Sequence, residues 1–546
     1  MHKLLALSLV SFALQAQEKV DLAVIQRIKT EAFQNSKVMD HLFWISDVYG
    51  PRLTGSPGFT AAANWTVQRL KEYGIEDAAT HPWGKFGRSW RLTKFSVSIQ
   101  EPEYAPLIGF PLAWSGDTKG PIVAEPVLAP LKLSDSLDGK KTDEDLEKYF
   151  KEQTGKLRGK IVLLAKPKDV TLAMTARASR YSDADLAKEA EAPTPQALPS
   201  FDIEKMILPE KREDRRALFD LLPLDAESKV WEYGDRLTDR VNEFLAREGA
   251  VAVIVPSYNA DAGTVFGEAA GTFAGDHPIP EPRIALTIEH YNRIARLLDR
   301  KIPVKLELEV RTTAEGATGE GLNIIANIPG QTKPDEVVMI GAHFDSWIGG
   351  TGATDNGTGS VVMIEVMRIL KALRLKLDRT VRLGLWSGEE QGIYGSRAYV
   401  KETFGDPETM QLKPAHAKLS GYFNHDNGTG KIRGVYLQGN DAMRPVFEAW
   451  LAPFRDLDAT TITIRNTGGT DHQSFDQVGL PGFQFIQDEV EYERMTHHSN
   501  MDLYDHVVPA DLMQASAVIA SIVYHAANRP ELLPRKELPP PVKLKN

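Results

Sequence analysis

The sequence predicts an α/β fold: a mostly parallel mixed sheet flanked by helices and interrupted by an inserted β-rich module. Three observations carry this reading. From about residue 317 onward, short apolar runs alternate with long amphipathic ones, the pattern of strand–helix repeats that build a sheet covered on both faces. Between about 120 and 316 the texture changes to closely spaced β-rich runs, after which the first pattern returns. At 546 residues the chain also exceeds what one hydrophobic core ordinarily serves, so more than one domain is expected.

Residues 1–16 have a short cationic start, an apolar stretch from Leu4 to Leu14 and a small residue, Ala16, before a polar segment. They are expected to act as a signal peptide cleaved near Ala16–Gln17, which places the protein in the periplasm or outside the cell; Leu14 departs from the small residue usual three positions before the cut. Residues 17–119 form the first part of the main domain. VMDHLFWISDV has helical periodicity, GPRLTGSPG breaks it, FTAAANWTVQRLKEYGIE reads as an amphipathic helix ending near Gly74, and RLTKFSVSIQ alternates as a strand. In the insertion, 120–316, strands such as GKIVLLAKP and VAVIVPS accompany a helix in DRLTDRVNEFLAREGA. Within it, residues 165–235 are charged, contain APTPQALPS and read as a looping excursion. Residues 317–530 supply strands in EVVMIGAHFD, TVRLGLWSGEE, LSGYFNHD, IRGVYLQG and PGFQFIQD, with helices in NGTGSVVMIEVMRILKAL and ADLMQASAVIASIVYHAA. A Pro- and Lys-rich tail, 531–546, closes the chain.

Composition narrows the function. With 42% hydrophobic and 25% charged residues the chain is globular, and a net charge of −10 without a basic stripe argues against a nucleic-acid partner. There is no cysteine, which excludes thiolate nucleophiles, disulfides and CxxC metal sites. No stretch beyond the N-terminus approaches the ~18–20 apolar residues of a membrane span.

The chemistry lies in five motifs: HFDSW, ATDNGTG, WSGEEQG, NHDNGTG and THHSNMD, carrying His343, Asp355, Glu389–Glu390, Asp426 and His498. Ligands gather at the carboxyl ends of strands in covered sheets, and His343, Glu389 and Asp426 fall at such ends. His-x-Asp at a strand end puts Asp345 on the side of His343, where it can fix the imidazole tautomer, although HxD alone is a weak signal. Asp355 is expected to open a long helix, where its two oxygens can bridge two cations; a plain N-cap is the ordinary use of such a residue. Glu389 and Glu390 repel each other unless a cation neutralises one. Glu390 then reads as a metal ligand and Glu389 as the carboxylate that moves a proton. His425 competes with Asp426, and His497 with His498.

In this order the motifs resemble the co-catalytic zinc exopeptidase family that includes bacterial leucyl aminopeptidases, carboxypeptidase Q and glutamate carboxypeptidase. GGTDHQSFDQVGLPGFQF is similar to the segment before that family's last ligand, HHSNMD to the carboxypeptidase Q-type ending, and the insertion to a protease-associated domain. The resemblance implies the zinc exopeptidase fold and two Zn²⁺ ions per chain. His343 and Asp426 would hold one ion, Glu390 and His498 the other, and Asp355 both; Glu389 would be the general acid/base and Asp345 the partner of His343. Asn356 stands where many relatives have a second aspartate. The implied reaction is hydrolysis of terminal peptide bonds of peptides or dipeptides, with an aminopeptidase favoured over a carboxypeptidase or dipeptidase. A single-zinc glutaminyl cyclase and a noncatalytic receptor-like protein are rivals, and the retained Glu389 speaks against the latter. A peptide is the expected partner, with a homodimer suggested by analogy alone. Glu491, Tyr492, Glu493, Arg494 and Arg465 are candidates to hold the substrate terminus.

Overall fold

The computed structural model describes residues 18–541 apart from 134–136, 171, 173, 196–204, 210–213, 215–217, 219–223 and 260–261; the expected signal peptide, 1–16, and the end of the tail lie outside the described residues. The strand–helix alternation is realised as one large mixed sheet. Its principal strands are β1 (Ala79–Glu101), β7 (Lys305–Ile328), β8 (Lys333–His343), β9 (Arg379–Trp386), β10 (Leu419–Asn424), β11 (Ile432–Tyr436), β12 (Thr461–Thr463) and β13 (Gly482–Gln487). Two short strands, Ala105–Pro106 and Ile122–Ala124, complete ten, and the order across the sheet is β12-β11-β13-β10-β8-β9-β7-β1. Parallel pairing holds in the centre, where β8 lies between β9 and β10 and β10 pairs with β13. The β1–β7, β7–β9 and β11–β13 pairs are antiparallel. The sheet is therefore more evenly mixed than the alternation alone suggests, because the long β1–β7 ribbon returns beside β9 without a helical crossover.

A second sheet of five strands is built from β2 (Gly109–Pro111), β3 (Pro126–Leu128), β4 (Ile161–Leu163), β5 (Ala252–Pro256) and β6 (Arg283–Leu286), in the order β2-β6-β5-β4-β3. It starts at Gly109, ahead of the expected boundary at 120, because β2 pairs with β6. At the far end β7 runs through residue 316 as a strand of the main sheet. All pairings among β3–β6 are parallel, so this layer is α/β in character rather than purely β-rich.

Helices α1 (Leu22–Gln34), α2 (Val38–Phe43) and α3 (Pro57–Glu72) pack with α8 (Thr358–Ala372) and α12 (Pro509–Asn528) in the largest apolar core. Both α8 and α12 are apolar nearly all round, the mark of helices buried between layers. The second sheet carries α4 (Gly139–Gln153), α6 (Leu224–Glu248) and α7 (Ile288–Asp299). In the largest core α10 (Arg444–Leu451) also packs against α12, and the opposite face of the main sheet carries α9 (Tyr394–Thr403) and α11 (His472–Asp476), with Phe475 of α11 packed on Trp386 and Tyr422. Among the described residues, no helix is long and apolar enough to cross a membrane.

Part of the expected excursion is tied down. Residues 179–181 and α5 (Asp183–Ala190) lie against the main domain: Ser179 bridges Val490, Arg180 binds both Asp488 (2.8 Å) and Asp511 (2.7 Å), and Arg465 reaches Glu189 (2.8 Å). Asp488 is fully buried and accepts as well from Tyr181 N–H and from Arg433.

Candidate active site

The loops that leave the carboxyl ends of β8, β9 and β10 meet the Asp355 and His498 segments in one cleft. His343 is the last residue of β8 and stands in register with Trp386, the last residue of β9. Immediately after β9 the chain turns at Gly388, whose φ of 70° lies in the left-handed region and whose Cβ position falls 3.2 Å from Tyr394. That turn delivers Glu389 and Glu390. Asp426 follows β10 by two residues. Asp355 does not open a helix as expected: its φ and ψ of −124° and 95° are extended, and α8 begins three residues later. Asn356 serves the helix instead, accepting from Gly359 N–H at 2.9 Å and donating to His425 O at 3.0 Å. The amide that replaces an expected aspartate thus has two partners, one of them reached only through its N–H.

Four polar contacts define the centre. His343 Nε2 lies 3.3 Å from Asp355 Oδ1 and 3.3 Å from Asp426 Oδ1. His498 Nε2 lies 3.2 Å from Asp355 Oδ2 and 2.9 Å from Glu390 Oε2. Asp355 therefore presents one oxygen to each imidazole. Donor atoms about 2.1 Å from one tetrahedral ion stand roughly 3.4 Å apart, a spacing that these four contacts approach; the ligand atoms that gather most tightly are those of Asp355 with His497 and His498, and of Asp355 with His343 and Glu390. Glu390 Oε1 is buried without a protein hydrogen-bond partner, as an acceptor atom kept for a cation would be. Three carboxylates and two imidazoles with no sulfur suit zinc and also other divalent ions.

The rival histidines separate. His425 is fully buried, and burial pushes its pKa down to about 4; its ring belongs to neither group. His497 stays close, stacked on His498 at 3.8 Å and 3.7 Å from Asp355 Oδ2. With Asp355 and His498 it gathers ligand atoms close enough together for one metal ion.

Burial works against every charge here, and the neighbours decide the outcome. Burial alone would raise Asp355, yet the hydrogen bonds of His343 and His498 hold its carboxyl well below the usual range. Burial would lower His343, but Asp426 and Glu389 drive it well above the usual imidazole value. Burial raises Glu390 to about 8, with the charge of Asp355 adding to the effect. Glu389 is likewise raised by burial, then by Asp426, Asp471 and Glu390, and only His343 opposes this.

Several supporting residues carried no signal in the sequence. Thr54 donates to Asp345 Oδ2 (2.8 Å) and accepts from Gly388 N–H (2.8 Å), joining the first helical region to both loops. The Asp345 carboxylate also faces the N–H groups of Glu389 and Glu390, at 3.4 Å each. His343 Nδ1 lies 3.1 Å from Asp345 O and 3.7 Å from its Oδ1. Arg52, fully buried, donates to the carbonyls of Ile45, Phe344, Thr351 and Gly352 and so ties the loop between β8 and Asp355 to the first helical region. GPRLTGSPG had read only as a helix breaker. Of the residues expected to hold a substrate terminus, Tyr492 is buried close enough to Asp355, Asp426 and Glu390 for their charges to add to the burial that raises its hydroxyl pKa. Arg465 and Arg494 are engaged by Glu189 and by Thr175 and Ala176, and Glu491 by His506.

Residues 323–523 match the model of peptidase family M28. Carboxypeptidase Q of Mus musculus is 31% identical over 294 residues, which is 53% of this chain and 59% of that protein. The chain thus covers less than two thirds of this curated relative. A peptidase M28 precursor from Shewanella amazonensis shares the fold over 95% of this chain and 98% of its own, with TM-score 0.63 at 24% identity. BSAP, a zinc aminopeptidase from Bacillus subtilis, does so over 92% and 98%, with TM-score 0.52 at 17% identity.

Proposed function

With residues 323–523 belonging to peptidase family M28, we propose that this protein is a two-zinc exopeptidase that removes terminal residues from peptides, acting as an aminopeptidase. The observation that carries the reading is Asp355, set between His343 and His498 with one oxygen toward each. His343, Asp426 and Asp355 would hold one ion, and His498, Glu390 and Asp355 the other. Bound there, the ions would supply Lewis-acid polarisation of the scissile carbonyl and a lowered pKa for the attacking water. Glu389 takes that water's proton on its carboxylate and delivers it to the departing amine nitrogen, a task suited to a carboxyl whose burial raises its pKa well above the usual carboxylate range. Asp345 and Thr54 hold His343 and the Glu389–Glu390 backbone in one frame, so that acid/base and ligand positions move together.

In this reading residues 109–299 form a protease-associated domain inserted in the peptidase domain, and the apolar N-terminal segment exports the protein to the periplasm or beyond. Similarity to carboxypeptidase Q favours a second reading, a carboxypeptidase or dipeptidase. The deciding experiment assays dipeptides and tripeptides, free, N-acetylated or C-amidated, alongside zinc quantitation. Loss of turnover on N-acetylation with C-amides still cleaved is the expected result. The reverse pattern selects the carboxypeptidase reading, and no cleavage by protein carrying two zinc ions removes the peptidase reading.

A further inference from the structure

His498 is the one residue of the proposed ligand set whose second nitrogen turns away from the main sheet. Its Nε2 faces Asp355 and Glu390, while its Nδ1 lies 2.7 Å from Glu268 Oε1. Glu268 comes from the segment between β5 and β6, on the second sheet. The approach is built from both sides. Gly267 N–H donates to His498 O (3.1 Å) and Asn500 N–H to Val265 O (3.0 Å), while Val265 N–H donates to Asn500 Oδ1 (2.7 Å). On its other flank, Ala113 N–H donates to Glu268 O (2.9 Å) and Ala270 N–H to Ala113 O (2.8 Å). His498 itself has φ of 58°, a left-handed conformation that a β-carbon disfavours and that these contacts hold in place.

We propose that Glu268 is the positioning residue of His498: its carboxylate takes the Nδ1–H, fixes the tautomer with Nε2 unprotonated, and aims that atom at the ion shared with Glu390 and Asp355. The inserted layer thereby completes the metal centre. The arrangement mirrors His343, whose Nδ1 is met by Asp345 from within the main domain. A carboxylate on the outer nitrogen orients a ligating imidazole and raises its basicity, and its removal costs on the order of 10–100-fold in metal affinity. The inference rests on the two-zinc reading above.

The test is zinc titration of the full chain against a competing chelator, resolving the two sites, for wild type, Glu268→Ala and Glu268→Gln. Expected is a drop of about 10–100-fold at one site in Glu268→Ala, with the other site within about twofold. Glu268→Gln, which keeps an acceptor, should recover part of the loss, and the melting temperature of the metal-free variants should match wild type. Unchanged affinity at both sites, or equal losses at both, overturns the assignment. Should Glu268→Ala not fold, Glu268→Gln decides: wild-type affinity at both sites in that variant overturns it, and a one-site loss supports it. Failure of wild type to bind zinc at all would instead overturn the two-zinc reading itself.

Discussion

Replacing Asp355 by alanine should empty both metal positions together, and the size of that loss follows from the geometry. Structural zinc sites with four ligands contribute about 10–16 kcal/mol at neutral pH, so one ligand accounts for roughly 2.5–4 kcal/mol. A deficit of that size corresponds to about 10²–10³-fold in affinity. Asp355 directs Oδ1 to His343 and Oδ2 to His498, so the loss applies at each ion rather than at one. The imidazole contact of Asp426 is with His343 and the shortest one of Glu390 is with His498, so Asp426→Ala and Glu390→Ala should each weaken mainly one site. The assay is zinc content after dialysis against graded chelator, read by mass spectrometry on native protein. Two ions retained at wild-type affinity in Asp355→Ala, or loss of just one, would refute the shared-ligand argument.

Glu389→Gln should keep both zinc ions while kcat falls by about 10²–10⁴, the usual worth of a general acid/base; an unchanged rate removes Glu389 from proton transfer. Arg52→Ala strips four carbonyl partners from buried loops and should cost about 3–5 kcal/mol, read as a lower thermal midpoint in metal-free protein. Acidification should destabilise the metal-free fold through His41 and His472, whose burial lowers their pKa to about 3 and about 4. Because these folded values lie below the unfolded one, the stabilisation is complete above about pH 6.5 and lost as pH falls, by about 2 kcal/mol per histidine between pH 7 and 5. A thermal midpoint that stays level over that range, or one whose pH slope is unchanged in His41→Asn and His472→Asn, contradicts this.

What could be read from the chain and what could not have different physical origins. His343, Glu389 and Asp426 were legible because apolar runs announce strands, and the carboxyl ends of neighbouring parallel strands share one edge of a sheet. His498 and Asp355 depended on motif order alone, and periodicity suggested a helix-opening role for Asp355 that the extended backbone and the capping Asn356 do not support. Thr54, Arg52 and Glu268 left no trace, since each reaches the site through contacts more than two hundred residues away along the chain. Periodicity reports burial, not partners. The β1–β7 ribbon was hidden for the same reason: its two strands are separated by the whole second sheet.

The segment around Arg180 constrains how the molecule could ever be divided. Excising everything between β1 and β7 to obtain a minimal catalytic unit would remove Arg180 from Asp488, a carboxylate with no solvent contact, and leave Arg433 as its one cationic partner among the described residues. It would also unseat Asp511, which sits in the first turn of α12, the helix at the centre of the largest core. A truncated body would leave the Asp511 carboxylate without that guanidinium in the first turn of α12. The excursion is therefore a structural dependency of the main domain, and a cut that spares both must keep Arg180 with its two carboxylates.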